Sequence, residues 1–422
     1  MATVAELLRP LLAELIGEQL PLRVRAWDGS ESGPADSPAT LVIRSPDAIR
    51  RLLWAPHELG LARAFVTGDL DVEGDLYAAL TLPGYLAHRD REARVRPLTL
   101  LRAARAVGAL KRPLPPPPEE ARLRGGRHSK ERDAAAIAHH YDVGNGFYRL
   151  VLGPTMVYSC AFFETADASL EQAQTAKLDL ICRKLGLQPG QRLLDVGCGW
   201  GSLVIHATKH YGVRAVGVTI SREQADLAEK RLGEEGLADV AEIRVQDYRD
   251  VADGPYDAIA SIGMAEHVGL DEMRRYATAL HDLLRPGGRV LNHQISRRPG
   301  PPGRRNTSFI WHYVFPDGEL APVGHTVQAL EEAGLEVRDV EAMREHYALT
   351  LRHWVANLER HWAEAVALVG ARRARVWRLY MAGAALSFES GRIGVNQVLG
   401  VRQTDDGRSG LPLTRTGWLS GS

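Results

Sequence analysis

Residues 193–202 read Leu-Leu-Asp-Val-Gly-Cys-Gly-Trp-Gly-Ser, an apolar run that ends in a turn with glycine at every second position. The apolar part predicts a buried β-strand, and a helical pattern over 203–211 follows the glycines directly. Because glycine has no Cβ, the backbone of such a turn can approach a ligand closely. Ser202 stands where a dinucleotide-binding turn would carry its third glycine, so the pattern is GxGxG. We therefore predict a nucleotide-type ligand site without a pyrophosphate cradle.

Strand and helix patterns alternate along the chain after this turn. The predicted strands are 215–219, 241–246, 256–262 and 289–294, and the predicted helices are 222–232 and 271–284. This alternation predicts an α/β fold with a doubly wound parallel sheet, whose ligands bind at the carboxyl ends of the strands. The following region is rich in aromatic residues and mostly helical, which predicts a helical lid or insertion over about 297–390.

The N-terminal part has a different pattern, with a helix predicted over 4–16, strands over 22–27 and 40–44, and a helix over 59–71 that closes at Gly68. A proline-rich stretch follows, which predicts an extended linker. We therefore predict a smaller α+β domain over 1–111, a linker over 112–126 and a catalytic domain over 127–422.

Composition excludes several classes of protein. The chain has 422 residues, of which 45% are hydrophobic and 25% charged, with 52 basic and 52 acidic side chains. This is typical of a soluble globular protein of two or more domains, and zero net charge argues against nucleic acid as a partner. Three cysteines and the absence of a long apolar run or signal-peptide pattern predict a cytoplasmic location. No cysteine or histidine spacing predicts a metal site.

The balanced charge is not evenly distributed. Residues 85–132 contain 13 Lys or Arg against five Asp or Glu. Within them Leu100, Ala103, Ala104 and Val107 fall on one helical face, and Arg102 and Arg105 on the opposite face. Charge alone favours a solvated linker helix. If the substrate is a lipid, the segment instead predicts a surface that docks on an anionic membrane.

The glycine turn, led by Asp195, resembles motif I of class I S-adenosylmethionine (SAM) methyltransferases. In that fold the later strand ends would hold the ribose, the adenine and the sulfonium in turn. An alternative role for these loop residues is helix capping, in which Ser221 caps the helix that follows it and the Gln224 side chain reaches back to Ser221. The predicted cofactor-binding residues are Tyr158, Ser159, Asp195, Gly197, Gly199, Gly201, Thr219, Gln224, Gln246, Asp247, Tyr248 and Ile262.

Seven phrases of the sequence resemble the cyclopropane-fatty-acid synthase family, which includes the mycolic-acid cyclopropane synthases. They are HYDVGN at 140–145, YSCAF at 158–162, LDVGCGWG at 194–201, GVTIS at 217–221, QDYRD at 246–250, GMAEHVG at 263–269 and YVFPDG at 313–318. The resemblance implies methylene transfer from SAM to a cis double bond of an unsaturated phospholipid acyl chain. The N-terminal domain resembles the extra domain of phospholipid-acting members.

The resemblance also implies a mechanism. Methyl transfer to an alkene leaves a carbocation, which aromatic faces can stabilise; Tyr158, Phe162, Tyr313 and Phe315 are candidates, with core packing as the alternative for each. In the family a bound bicarbonate then removes a proton. By motif match its predicted holders are Cys160, Glu266, His293, Tyr347 and the main chain at Ile295.

Several alternatives remain open from the sequence. A related enzyme would form a 10-methylene chain, which a separate reductase partner would saturate. A non-catalytic lipid- or SAM-binding module would have no use for a base, and Ser202 disfavours a nicotinamide oxidoreductase. The expected partner is an unsaturated phospholipid at the inner face of the cell membrane, where the protein would bind peripherally. A homodimer is compatible with the sequence, which does not determine the oligomeric state.

Overall fold

A computed structural model describes the chain over 2–16, 22–81, 96–123, 125–126, 130–141, 143–300 and 307–416. The contacts divide it into two compact units. The first unit comprises Met1–Arg122, Pro301–Pro316 and Glu359–Ser390, and the second comprises Leu123–Gly300, Asp317–Leu358 and Gly391–Ser422. This grouping differs from the predicted domain boundaries, because most of the predicted linker and two parts of the predicted lid pack with the N-terminal residues.

The N-terminal elements of the first unit are α1 (Val4–Ile16), β1 (Arg23–Arg25), β2 (Glu31–Ser32), β3 (Ala39–Ile43), α2 (Asp47–Trp54), α3 (Glu58–Thr67), β4 (Leu70–Gly74), α4 (Leu76–Leu80) and α5 (Pro97–Ala106). Their strands form a small sheet with the order β2-β1-β3-β4. The helix predicted over 59–71 ends at Thr67, because Gly68 adopts the left-handed conformation (φ +81°) that terminates a helix. Asp71 therefore belongs to β4, which pairs with β3.

The middle of the chain forms the alternating strands and helices of the second unit. They are α6 (Lys130–Tyr141), α7 (Asn145–Leu152), α8 (Leu170–Leu185), β5 (Arg192–Val196), α9 (Ser202–Tyr211), β6 (Arg214–Thr219), α10 (Arg222–Glu234), β7 (Ala241–Val245), β8 (Tyr256–Ile262), α11 (Met273–Leu283) and β9 (Leu284–Arg297). Each predicted strand of this part is present, so the prediction of a doubly wound α/β sheet is confirmed.

The C-terminal elements are divided between the units. They are α12 (Phe309–Tyr313), α13 (Val323–Glu332), β10 (Glu336–Ala342), α14 (Arg344–Arg360), α15 (Trp362–Val369), α16 (Ala371–Glu389) and β11 (Ile393–Val401). Within the predicted helical region, β10 is a strand of the main sheet, and β11 follows that region. The strand β10 was missed because its sequence, EVRDVEA, is mostly polar, and β11 was missed because it lies beyond the last predicted helical region.

The sheet of the second unit has the order β10-β11-β9-β8-β5-β6-β7. Strands β5 to β9 are parallel, whereas β11 runs antiparallel to both β9 and β10, so the sheet is mixed rather than fully parallel. Buried apolar clusters cover both faces, one including residues of α8 and α9 and the other residues of α11 and α13. None of the described helices is long and apolar enough to cross a membrane.

Candidate functional site

A cavity of about 150 Å³ lies at the carboxyl ends of the parallel strands, where a doubly wound sheet binds its ligands. Eleven of the twelve predicted cofactor-binding residues line it; Gly201 does not. A Cβ at Gly201 would lie 3.1 Å from the Cβ of Ala228 on α10. The third glycine of the turn therefore allows close packing between α9 and α10 rather than ligand contact.

The turn after β5 forms one wall of the cavity. Gly197 (φ +79°) and Gly199 (φ +54°) both adopt left-handed backbone conformations, which explains the glycines at these positions. Asp195 is buried at the end of β5, and its Oδ1 has no hydrogen-bond partner. Burial raises the pKa of Asp195 to about 7, partly offset by Lys177. An unpaired buried acceptor at a cavity wall fits the positively charged part of a ligand such as SAM.

The polar residues of the next two strand ends are already hydrogen-bonded within the protein. The hydroxyl of Thr219 donates to Oε1 of Gln224 at 2.9 Å, and Ser221 caps α10 by accepting the N–H of Gln224. The predicted capping is thus present, but the Gln224 side chain turns towards Thr219 and the cavity. Both carboxylate oxygens of Asp247 are paired with Arg249. Tyr248, whose pKa is raised to about 12 by burial, lines the adjacent wall.

An aromatic cluster borders the cavity where Tyr158 and Trp200 line it. Nε2 of His140 and the hydroxyl of Tyr158 are 3.1 Å apart, and the Tyr158 ring packs on Trp354 with centroids 5.2 Å apart. Trp200, from the glycine turn, packs on Tyr148 and donates its indole N–H to Asn145 at 2.7 Å. Three of the sequence phrases therefore meet at one place, since HYDVGN, YSCAF and LDVGCGWG each contribute a ring.

Glu266 follows β8 and is flanked in sequence by the cavity-lining residues Met264 and His267. Its Oε1 accepts the main-chain N–H of Ile295 at 2.7 Å, whereas its Oε2 is buried without a partner. Burial raises the pKa of Glu266 to about 7. The contact joins Glu266 to Ile295, and the main chain of Ile295 was also predicted to hold bicarbonate.

His293 lies on β9 beside the same turn, because its carbonyl accepts the N–H of Gly263 at 2.8 Å. Burial lowers the pKa of His293 to about 3, so the ring is neutral. The amide nitrogen of Gln397 is a donor and lies 3.3 Å from Nδ1, so Nδ1 accepts and the ring proton is on Nε2. That Nε2 is buried without a partner. Glu266 and His293 thus present an unpaired acceptor and an unpaired donor.

Cys160 and Tyr347 are connected to this pair through the main chain. The carbonyl of Met343 accepts the N–H of Tyr347 at 3.2 Å and lies 3.6 Å from Sγ of Cys160. The N–H of Met343 in turn bonds to Val395, which is the β11 partner of Ile295 on β9. These main-chain contacts connect the segments that carry the five residues predicted to hold bicarbonate. Burial raises the pKa of the Cys160 thiol, which keeps it neutral.

Lys177 was not among the predicted residues, although it is buried on α8 and lines the cavity. Its ammonium donates to the hydroxyl of Ser159 at 3.0 Å. Burial lowers its pKa to about 8, and the carboxylate of Asp195 partly offsets this shift. The sequence did carry a signal, because Lys177 falls on the same helical face as the buried Gln174, Leu178 and Ile181.

The aromatic candidates divide between the two units. Tyr158 lines the cavity, and the Phe162 ring packs on His346 with centroids 4.9 Å apart. The contacts of the other two lie in the first unit, where the Tyr313 hydroxyl donates to Glu120 at 3.0 Å and Phe315 packs on Tyr380. For Tyr313 and Phe315 these contacts favour the alternative of core packing.

The chain matches the family model described as mycolic acid cyclopropane synthetase over residues 128–398. It is 46% identical over 411 residues to a probable fatty acid methyltransferase of Mycobacterium tuberculosis, with 94% of each chain covered. It is 41% identical over 404 residues to a probable fatty acid methyltransferase of Pseudomonas putida, with 94% of this chain and 95% of the relative covered.

A solved structure agrees with these relatives. It is a mycolic acid cyclopropane synthase complexed with SAH and CTAB, which is 35% identical to this chain and superposes with a TM-score of 0.60. The similarity covers 63% of this chain and 97% of that one. Taken with the cavity at the strand ends, these matches show that the chain belongs to the mycolic acid cyclopropane synthetase family and is a SAM-dependent methyltransferase.

Proposed function

We propose that this enzyme transfers a methylene group from SAM to the cis double bond of an unsaturated phospholipid acyl chain and forms a cyclopropane ring. The observation that carries the proposal is the unpaired Oε2 of Glu266 together with the unpaired Nε2 of His293, both buried next to the cavity wall. A methyltransferase that leaves a simple methyl group needs no such site. Removing a proton from the transferred carbon does need one.

The residues of the cavity fit SAM, which when bound supplies an electrophilic methyl group on a sulfonium. Asp195 offers its unpaired oxygen, while Gly197 and Gly199 bring main chain to the cavity wall without a Cβ. Tyr158 presents an aromatic ring that can stabilise positive charge in the acyl chain. The surrounding rings exclude water, which would otherwise quench a carbocation.

The pair formed by Glu266 and His293 also fits bicarbonate, which when bound would accept the proton. Glu266 is held by the Ile295 N–H, so its free oxygen is fixed in position to accept the hydroxyl of the anion. Neutral His293 is oriented by Gln397 to donate through Nε2. The two groups offer opposite hydrogen-bonding roles, which match an anion that carries both a hydroxyl and acceptor oxygens.

Lys177 would supply compensating positive charge in the proposed site. An ionised Glu266 and a bound bicarbonate would repel each other in a buried site, and a nearby buried cation offsets that repulsion. Lys177 interacts electrostatically with His293, the partner of Glu266 in the proposed site. We therefore expect Lys177→Met to raise the bicarbonate concentration needed for half-maximal activity at least about tenfold, which is about 1.4 kcal/mol of binding free energy.

This expectation is checked by titrating bicarbonate into decarbonated enzyme at saturating SAM. Lys209→Met is the control, because Lys209 is exposed and pairs with Glu235 on the protein surface. An unchanged half-saturating concentration for Lys177→Met would remove Lys177 from the proposed site.

A second candidate function is formation of a 10-methylene chain from an oleoyl phospholipid, which a reductase would then saturate. The names of the two relatives, which describe fatty acid methyltransferases, favour it. The same base would serve both reactions, since each product requires loss of a proton from the transferred carbon.

The experiment that separates these functions is product analysis after incubating the enzyme with SAM, bicarbonate and oleoyl phospholipid vesicles. The ring and the methylene branch have equal mass, so the product is analysed before and after mild hydrogenation. A product that resists hydrogenation supports cyclopropane formation, and one that gains two hydrogens supports the methylene chain. Transfer to a head group instead of the acyl chain would contradict both.

A further inference from the structure

The outward face of α5 combines exposed apolar side chains with exposed cations. Leu98 and Leu101 are 55% and 47% exposed, and Arg102 and Arg105 lie on the same outward face. The face predicted to be apolar is turned inwards, with Leu100, Ala103 and Ala104 buried where α5 packs on α1 and α2. The predicted apolar and basic faces are therefore opposite each other as expected, but the apolar face packs within the protein, and Leu98 and Leu101 lie with Arg102 and Arg105 on the exposed face.

The chain after α5 extends this surface. Gly108 (φ +69°) ends the helix, with N–H groups of Gly108 and Ala109 returning to Arg105 and Ala104. Leu110, 47% exposed, and Lys111 follow directly. The carbonyl of Lys111 accepts the indole N–H of Trp54 at 2.9 Å, which fixes a 57% exposed ring next to them.

The cations of this surface are not neutralised within the protein. Arg102, Arg105, Lys111 and Arg112 are exposed and form no ion pair with any carboxylate in the described part of the chain. The neighbouring acidic side chains are engaged elsewhere, since Glu14 pairs with Arg96 and Asp47 with Arg50. The remaining positive charge is complementary to an anionic surface.

We propose that Trp54, Leu98, Leu101 and Leu110, with these four cations, form a docking surface for an anionic lipid bilayer. The apolar side chains would enter the membrane–water interface, while arginine and lysine contact lipid phosphates. An indole ring such as that of Trp54 is favoured at the level of the lipid head groups. The buried core of a protein–protein interface is depleted of charged residues, whereas here lysine and arginine lie among the apolar side chains. The proposal rests on the proposed function in one respect, which is that the acyl substrate lies in a bilayer.

The test measures binding of the full-length protein to vesicles by sedimentation, without SAM. The vesicles contain saturated phosphatidylcholine alone or in equal parts with phosphatidylglycerol, so no reaction occurs and docking is measured independently of catalysis. We expect binding to the anionic vesicles, with at least about tenfold weaker affinity for Arg102→Glu/Arg105→Glu, because basic residues near an anionic surface are attracted to it and acidic residues are repelled. The control Arg214→Glu/Arg274→Glu makes the same change in charge on exposed positions of the second unit and should bind within about threefold of the parent.

A second variant tests the apolar part. Leu98→Ser/Leu101→Ser should also lower vesicle affinity about tenfold, and this loss should persist at high salt, whereas the effect of the arginine substitutions should shrink. Activity on oleoyl phospholipid in nonionic detergent micelles should be retained by both variants, which separates failed docking from failed chemistry.

Unchanged vesicle binding in both variants would overturn the proposal. A change in oligomeric state without a change in vesicle affinity would also overturn it, in favour of a second copy of the chain as the partner.

Discussion

Replacing Glu266 by glutamine is expected to lower turnover at least about a thousandfold while SAM affinity stays within about threefold, since positioned proton transfer contributes about 10²–10⁴ in rate. Glutamine can still accept the Ile295 N–H through its amide oxygen, so the main-chain contact is kept. The amide NH₂ cannot take the place of the free carboxylate oxygen. The measurement is product formation at saturating bicarbonate, with SAM binding measured separately by calorimetry.

The same substitution should stabilise the fold. Because burial raises the pKa of Glu266 from 4.5 to about 7, this group stabilises the folded state below its unfolded pKa and loses that contribution as pH rises through about 7. Glutamine carries no such penalty. The stability advantage of Glu266→Gln, measured by chemical denaturation, should therefore be about 2 kcal/mol larger at pH 8 than at pH 5.

Asp257→Asn is a suitable control for both measurements. Asp257 also accepts a main-chain N–H, that of Arg192 at 2.7 Å, but it lies near the amino end of β8, away from the cavity. The turnover of the Asp257→Asn enzyme should stay within about threefold of the parent, because Asp257 touches no group used in the chemistry. Wild-type turnover in Glu266→Gln would remove Glu266 from the proposed base site.

Gly197→Val is expected to weaken SAM binding at least about a hundredfold, which is about 2.7 kcal/mol. Two physical effects add together. The left-handed backbone of Gly197 disfavours a side chain, and a Cβ there would lie 3.3 Å from the Cβ of Met264 across the cavity wall. Larger branches of the valine would occupy space that the ligand needs. Calorimetric titration with SAM measures the effect directly.

Gly190→Val separates the two effects. Gly190 has nearly the same backbone angle (φ +82°), but a Cβ there would meet nothing within 4 Å, and the residue lies in the turn before β5. This control should lose stability to a similar extent while keeping SAM affinity within about threefold. Equal loss of SAM affinity in both variants would mean that strain in the fold, and not the cavity wall at Gly197, causes the effect.

The sequence allowed the central part of the fold and most of the cavity to be predicted. The glycine turn after β5 and the strands that follow have short, regular patterns, so Thr219, Gln246 and Ile262 could be assigned to strand ends before their positions were known. All three residues line the cavity, which supports this assignment. Gly201 was misassigned because a glycine needed for helix packing and a glycine needed for ligand approach look the same in a sequence.

Other features required the three-dimensional structure. The strands β10 and β11 pair with distant partners, and Asp339 on β10 is buried against Lys184 of α8, a contact that no local pattern encodes. Lys177 carried only the signal of a charged residue on a buried helix face, which structural ion pairs such as that of Lys184 also produce. The sequence distinguished the two faces of α5, but only the packing of α1 and α2 shows that its apolar face is buried within the protein.

The central claim is that a base held by Glu266 and His293 removes a proton from the transferred carbon. The most direct test uses SAM with a trideuterated methyl group and an oleoyl phospholipid, followed by mass spectrometry of the acyl product. We predict that the product retains two of the three deuterium atoms, because one is lost to the base. A product that retains all three would show that the proton leaves from the acyl chain or that no proton is lost, and would contradict the account.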